Sequence, residues 1–437
     1  MRLIKLSGLA NAFLRSAAYE RRFLAKNPWD LAMVVWIPLT TVLLIWWIFS
    51  QIQITDLPIG VIDNDRGPVA NTAVRYLEAN PNLTVKQLYH SSAAAKAAIL
   101  QRDIYAVVII PEDFSRNISF NKPAPIVLQV NAQYGTHSGI IQTSVQSVIG
   151  TLSAGVEMKR LVKQGMAPSQ AAIAYSPISI QRISLFNAAT DYQQFLASTV
   201  IPALLHILAM VIGATTIGRE LRDKRIGRWY RFIDSSRAHL TLPSNDNHPN
   251  NDSETSPSNN VSYSQHQAPE KVSILVLIFG LLGKYFWPLL AYSIWSILAL
   301  WLAAPQQSIA TSALIITYVS LVLLMMLSFW LGAIFTLSSF SLRMGLSATA
   351  FISAPSYAFA GVTFPYIAIS ENAQHWSDVL PLTHYLKLHI SQLQMQAPVI
   401  ISLPIVYGLT VATLVTLYLT ALLSKRALAH PERWGAR

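Results

Sequence analysis

Two carboxylates bracket an amide in "IGVIDNDRG", where Asp63, Asn64 and Asp65 follow an apolar run. Such a pair could hold a metal ion or divide acid and base work between its members. The plainer reading is a strand-to-helix turn with Asp65 near the N-cap, favoured because Asp and Asn side chains bond nearby backbone amides. His206 lies inside "FLASTVIPALLHILAMVIGATTI", a run with no formal charge. An ionisable group in such a setting is either functional or a neutral imidazole hydrogen-bonded to a neighbouring helix. No acid in a span can be paired with it from the sequence, so a proton relay is weakly supported. His248 and His266 sit in a polar tract, where lone histidines are usually solvated and a metal role is disfavoured. The Gly283-Lys284 pair is followed by Tyr285 and has Ile278 where a phosphate loop would need its first glycine. The chain is therefore expected to lack ATPase chemistry of its own, and neither HExxH nor GxSxG occurs.

The elements that carry these residues follow from composition. Of 437 residues, 52% are hydrophobic and 12% charged, so the charges must concentrate between long apolar runs, the pattern of a polytopic membrane protein. There is no cysteine, which excludes disulfides, zinc-thiolate sites and thiol nucleophiles. The net charge of +11 is explained by cations clustered beside spans rather than by nucleic acid. The predicted fold class is an α-helical polytopic membrane protein with six transmembrane helices and an inserted extracytoplasmic α/β domain.

The predicted order is a basic N-terminal interfacial helix (1–28), a first span (29–50) read as a retained anchor, and an external segment (51–191). A second span (192–217) leads to a cytoplasmic loop (218–271) with a disordered Asn/Ser/Pro-rich insert (244–269). Next come an interfacial lead-in and spans three to five (272–364), an outer interfacial segment (365–398), a sixth span (399–424) and a tail (425–437). Lys284 is expected to snorkel to headgroups. Lys and Arg gather in the N-terminal tail, in 218–271, at Arg343 and in the C-terminal tail, which predicts cytoplasmic termini.

In the external segment "LPIGVID", "LTVKQLY", "IYAVVII" and "PIVLQVN" read as strands with helices between them. Ile141, Val145, Val148, Leu152 and Val156 recur at spacings of three and four, predicting an amphipathic helix over 138–164. "GRELRDKRIGRWYRF" (218–232) puts six cations after a charge-free span, with Trp229 and Tyr230 as an interfacial anchor or a docking surface. "APSYAFAGVTFP" (354–365) is either an ordinary span ending at Pro365 or a discontinuous segment lining a path or gate.

The succession "YERRFLAKNPWDLAMVVWIPL", "LPIGVIDND", "YAVVIIPEDFS", "YQQFLASTVIPALL", "GRELRD", "LLGKYFWPLL", "AGVTFP" and "LPLTHYL" resembles the membrane subunit of ABC-2-type exporters, in the branch with a large periplasmic domain between the first two spans. The resemblance covers nearly the whole chain except about 238–270. It implies a bacterial inner-membrane permease that pairs with ABC ATPase subunits and with a second permease chain, self or sister, and that could meet a periplasmic adaptor. It implies no cofactor in this chain, with ATP and Mg bound through the partner ATPase. By the same resemblance Glu220, Arg222, Asp223, Arg228 and Trp229 would couple to the ATPase, and Phe359, Gly361, Phe364 and Pro365 would form the outer gate. Many relatives continue this loop with a Gly-Thr-hydrophobic-Glu pattern where this chain has "GRWYRF", which weakens the coupling half of the transfer. The cargo expected is small, organic or amphiphilic. The rival readings are a non-transporting scaffold whose external domain binds envelope partners, and an intramembrane enzyme, which would need convergent polar groups where the spans offer little beyond His206 and scattered Ser and Thr.

Overall fold

The structure is a computed structural model and describes residues 6–50, 54–175, 185–187, 191–234, 272–304 and 309–435. The insert 244–269, with His248 and His266, lies outside the described residues. The chain divides into two compact units, Gln53–Leu185 and the remainder.

In the smaller unit β1 (Leu57–Asp63), α3 (Pro68–Glu78), β2 (Leu83–Leu88), α4 (Ser92–Leu100), β3 (Ala106–Ile110), α5 (Phe114–Ser119) and β4 (Val127–Val130) precede α6 (Gly135–Lys163) and α7 (Pro168–Tyr175); α1 and α2 belong to the other unit. The sheet order is β2-β1-β3-β4, with β1 parallel to both neighbours and β4 antiparallel to β3. Parallel central strands covered on both faces read as continuous apolar runs, which is why "LPIGVID" and "AVVII" show no alternation. Ile59, Val61, Ala106 and Val108 face a core completed by Ala73 and Leu77 of α3 and by Ile141, Val145 and Leu152 of α6. Ile62 and Val107 point the other way, onto Ala95 of α4.

The "DND" carboxylates serve this fold. Asp63 accepts from the amides of Asp65 (3.0 Å) and Arg66 (2.9 Å). Asp65 accepts from the Gly67 amide (3.1 Å) and from the Ser115 hydroxyl, whose oxygen in turn accepts from the Val69 and Ala70 amides. Gly67 at the N-cap has no side chain to do this, so Asp65 and Ser115 together satisfy the first turn of α3. Asp65→Ala should destabilise that turn by about 1–2 kcal/mol. Amide exchange over 68–78 in the full chain would then rise about tenfold; unchanged exchange would remove the capping role.

In the larger unit α1 (Leu6–Lys26) precedes the apolar helix α2 (Pro28–Ile48). The apolar helices α8 (Gln193–Arg222), α11 (Phe286–Ala303), α12 (Thr311–Ser339) and α17 (Leu403–Ala429) follow, with α9 (Ile226–Ile233) and α10 (Ile274–Lys284) between α8 and α11. These five helices are each long and apolar enough to cross a membrane, which makes the chain a polytopic membrane protein. More than half of α8 and α12 is buried, so they form the centre, whereas α2 and α17 are largely uncovered.

Apolar side chains gain little by leaving lipid for protein, so helices here must be joined by close backbone packing. Gly213 of α8 and Gly332 of α12 supply it. A Cβ at Gly332 would stand 2.0 Å from the Met210 carbonyl oxygen, and one at Gly213 would stand 2.2 Å from that of Phe329. Tyr285 seals the same crossing by donating to the Gly213 carbonyl at 2.7 Å.

Six spans were expected, and the described residues hold five apolar helices of span length. The run 344–364 is instead α13 (Leu342–Ser353), a break at Pro355 and a single turn, α14 (Ser356–Phe359). Pro355 lacks an amide to continue the ladder, Gly361 turns the chain at φ +76°, and Pro365 prevents resumption. Beyond it α15 (Glu371–Val379) and α16 (Pro381–His389) lead to α17.

Candidate functional site

The site is built where α1, α8, α9 and α10 meet. In α1 the buried positions Ala12, Ser16, Glu20 and Leu24 recur every four residues and form one stripe, and two of the four are polar. Gly283 lets α1 approach, since a Cβ there would stand 2.2 Å from the Phe13 carbonyl oxygen. The closeness of this contact seals the neighbouring Lys284 from solvent.

Lys284 is fully buried and donates to Glu220 at 2.8 Å and to Glu20 at 3.3 Å. Arg219 donates to the other Glu20 oxygen and, at 3.3 Å, to Asp30 at the start of α2. Its guanidinium lies 3.8 Å from the Phe23 ring centroid. The Lys284 ammonium stands 5.0 Å and 5.4 Å from the rings of Tyr19 and Trp229, within reach of cation–π attraction. Three carboxylates (Glu20, Asp30, Glu220) thus enclose two cations, and four separate stretches of sequence contribute. Ions removed from water cost several kcal/mol each unless paired, so each charge here depends on the others. Tyr19 donates to Glu220 at 3.4 Å, and burial, helped by the Glu220 charge, pushes its pKa up to about 12, so it remains a donor at neutral pH.

Helix α9 buries Ile226, Trp229, Tyr230 and Ile233, the spacing of an amphipathic helix face. Trp229 donates to Ser16 of α1 at 3.0 Å, and Tyr230 accepts from the Ser273 amide at 2.9 Å. Its opposite face opens on a groove of about 720 Å3 lined by Arg22, Lys26, Arg222, Arg225 and Arg228, against Asp30 and Asp223. Cations outnumber acids in this lining, which suits an acidic surface.

Residues 28–241 match the family described as "ABC-2 family transporter protein". That match spans 214 of the 437 residues, so this part of the chain is similar to ABC-2 family transporters. The match supports a transporter's membrane subunit, a type of subunit that partners with a separate ABC ATPase. No curated protein matches the chain. Among solved structures, a domain ascribed to an ABC type-2 transporter from Thermotoga maritima MSB8 is similar at 17% identity and TM-score 0.21, over 28% of this chain and 81% of that one.

Of the five residues assigned to coupling, Glu220 and Trp229 are inside the cluster. Arg222 and Asp223 pair at 2.9 Å on the surface, and Arg228 is exposed beside them. Trp229 is therefore neither an interfacial anchor nor an exposed docking surface; its indole locks α9 to α1. Lys284 does not snorkel either, because two carboxylates from distant segments meet it. Sequence reasoning missed Glu20, Arg219 and Asp30 as members. The signal for Glu20 was its place on the stripe Ala12, Ser16, Glu20, Leu24, where an acid is out of character.

The expected gate residues lie together at the break after α14. The Phe359 carbonyl accepts from Ser377 at 2.8 Å, Gly361 holds the left-handed turn, Phe364 is half exposed, and Pro365 precedes a short turn at Tyr366–Ala368. Tyr357, two residues earlier, is hydrogen-bonded to Thr199 of α8 at 2.9 Å. His206 is buried and hydrogen-bonded to Ser328 of α12 at 2.6 Å.

Proposed function

We propose that this chain is the permease subunit of an ATP-driven ABC-2-type exporter that moves a small organic or amphiphilic cargo out of the cytoplasm or the inner membrane. The observation that carries this reading is the buried ion cluster beneath a basic groove, because it fuses the groove's walls to the ends of the central helices. The ATPase docks on α1 and α9 over Arg222, Asp223 and Arg228. ATP and Mg are bound and hydrolysed in that partner, and this chain supplies no covalent chemistry.

Displacement of α9 passes through Trp229–Ser16 and Lys284–Glu220 into α8 and α10 together, since separating them would leave buried charges unpaired. The other end of α8 holds Tyr357 through Thr199, so motion of α8 reaches the Phe359–Pro365 break, which we assign to the outer gate. An interrupted helix is stable in a membrane where it lines protein or a water-filled path.

Residues 342–359 would extend about 27 Å as helix, near the bilayer's hydrocarbon thickness, and so provide a sixth, broken crossing. Six crossings, with cations at both chain ends and in 218–234, support cytoplasmic termini and a periplasmic Gln53–Leu185. A second permease chain, self or sister, completes the path, and a periplasmic adaptor could meet the external unit.

Co-purification with the ATPase from the native host tests the docking face. Arg222→Glu combined with Arg228→Glu should lower recovery of a Walker-motif subunit by about tenfold or more, as like charges replace complementary ones, while the amount of inserted permease stays the same. Stoichiometric recovery of the ATPase with the double variant would remove α9 and its groove from the coupling path.

A further inference from the structure

The smaller unit contains a cleft that neither its sheet nor the export reading uses. The last buried residue of α6 is Leu152, and a cleft between α6 and α5 measures about 430 Å3, within the range of small-ligand clefts. Phe114 and Ile118 of α5 and Ile149, Leu152 and Val156 of α6 form an apolar floor. At its rim stand Lys122, exposed, and Arg160. Two of the Arg160 nitrogens are held by Asn121 and Glu157, which fixes the guanidinium plane; its Nε is buried with no hydrogen-bond partner. A guanidinium held in place beside an exposed lysine is suited to an anion, because cations outnumber acids in the lining. Arg160 and Glu157 pair with each other, so Lys122 leaves the lining with a net positive charge.

We propose that this cleft is a binding site for a small anionic amphiphile. A carboxylate or sulfate head pairs with Lys122 and the exposed edge of the Arg160 guanidinium, and a chain of about ten carbons covers the apolar floor. The site does not depend on the nature of the exported cargo.

The test uses the full-length protein in nanodiscs with a ten-carbon fatty acid carrying a diazirine, followed by peptide mapping of the photolabel. Labelling is expected to concentrate on peptides spanning 114–126 and 149–160, to be displaced by decanoate, and to resist decylammonium. Arg160→Gln should weaken labelling by about tenfold, the effect of losing a charge-assisted bond. Val156→Trp should abolish it by filling the cleft. Both variants are compared at matched thermal unfolding, so that loss of fold is not read as loss of binding. Labelling spread evenly over the apolar helices, equal competition by decylammonium, or undiminished labelling of Val156→Trp would each overturn the proposal.

Discussion

Lys284→Met lowers the stability of the folded chain by about 3–5 kcal/mol, the usual result of removing one partner from a buried ion pair. Without the ammonium, Glu20 and Glu220 are left in one dry pocket with Arg219 as the remaining cation inside it. The expected readout is a loss of the monodisperse species and a marked fall in melting temperature in detergent. Adding Glu220→Gln to Lys284→Met should recover a large part of the loss, because the amide carries no charge and the repulsion disappears. A single variant that melts within about 2 °C of the wild type would show that the cluster is wet or open, and would dismantle the transmission path built on it.

Gly332→Val should be as damaging through a different cause. Any Cβ at 332 overlaps the Met210 carbonyl, and backbone oxygen cannot rotate away as a side chain would. The α8–α12 crossing must widen, losing contacts along two helices that together form the centre of the larger unit. The expected cost is more than about 3 kcal/mol, at or beyond the upper end for overpacking, read as failure to accumulate folded protein. Gly408→Val in α17 is the control, since a Cβ there meets nothing within 4 Å. Equal behaviour of the two variants would mean that α8 and α12 are not packed through glycine.

Much of this architecture could be read from residue order, because its causes are local. Apolar runs of span length mark α2, α8, α11, α12 and α17, and the strands of the smaller unit start within about three residues of the apolar segments that predict them. The break at 354–365 is likewise local chemistry, written in Pro355, Gly361 and Pro365, although the sequence left open whether a span simply ended there. The cluster was not legible, since its members meet only after folding. Lys284 in an apolar run is compatible with headgroups or with a buried acid, and nothing near it in sequence decides between them. Glu20 is surrounded by Tyr19, Arg21 and Arg22, so it looks like a surface charge until the stripe of α1 is set against α10. Trp229 among cations was misleading for the same reason: its neighbours are exposed while its own ring is inside.

The partners Glu20 and Lys284 are separated by 264 positions in the chain. At ordinary elongation rates of about 5–20 residues per second, the ribosome needs roughly 13–50 s to travel from one to the other. For that interval the amino-terminal helix has been made but its cationic partner has not, so α1 cannot take its final seat. Closure of the cluster is therefore a late event in biogenesis, and a chain interrupted before residue 284 displays an undocked, charged amino terminus to the cell's proteases.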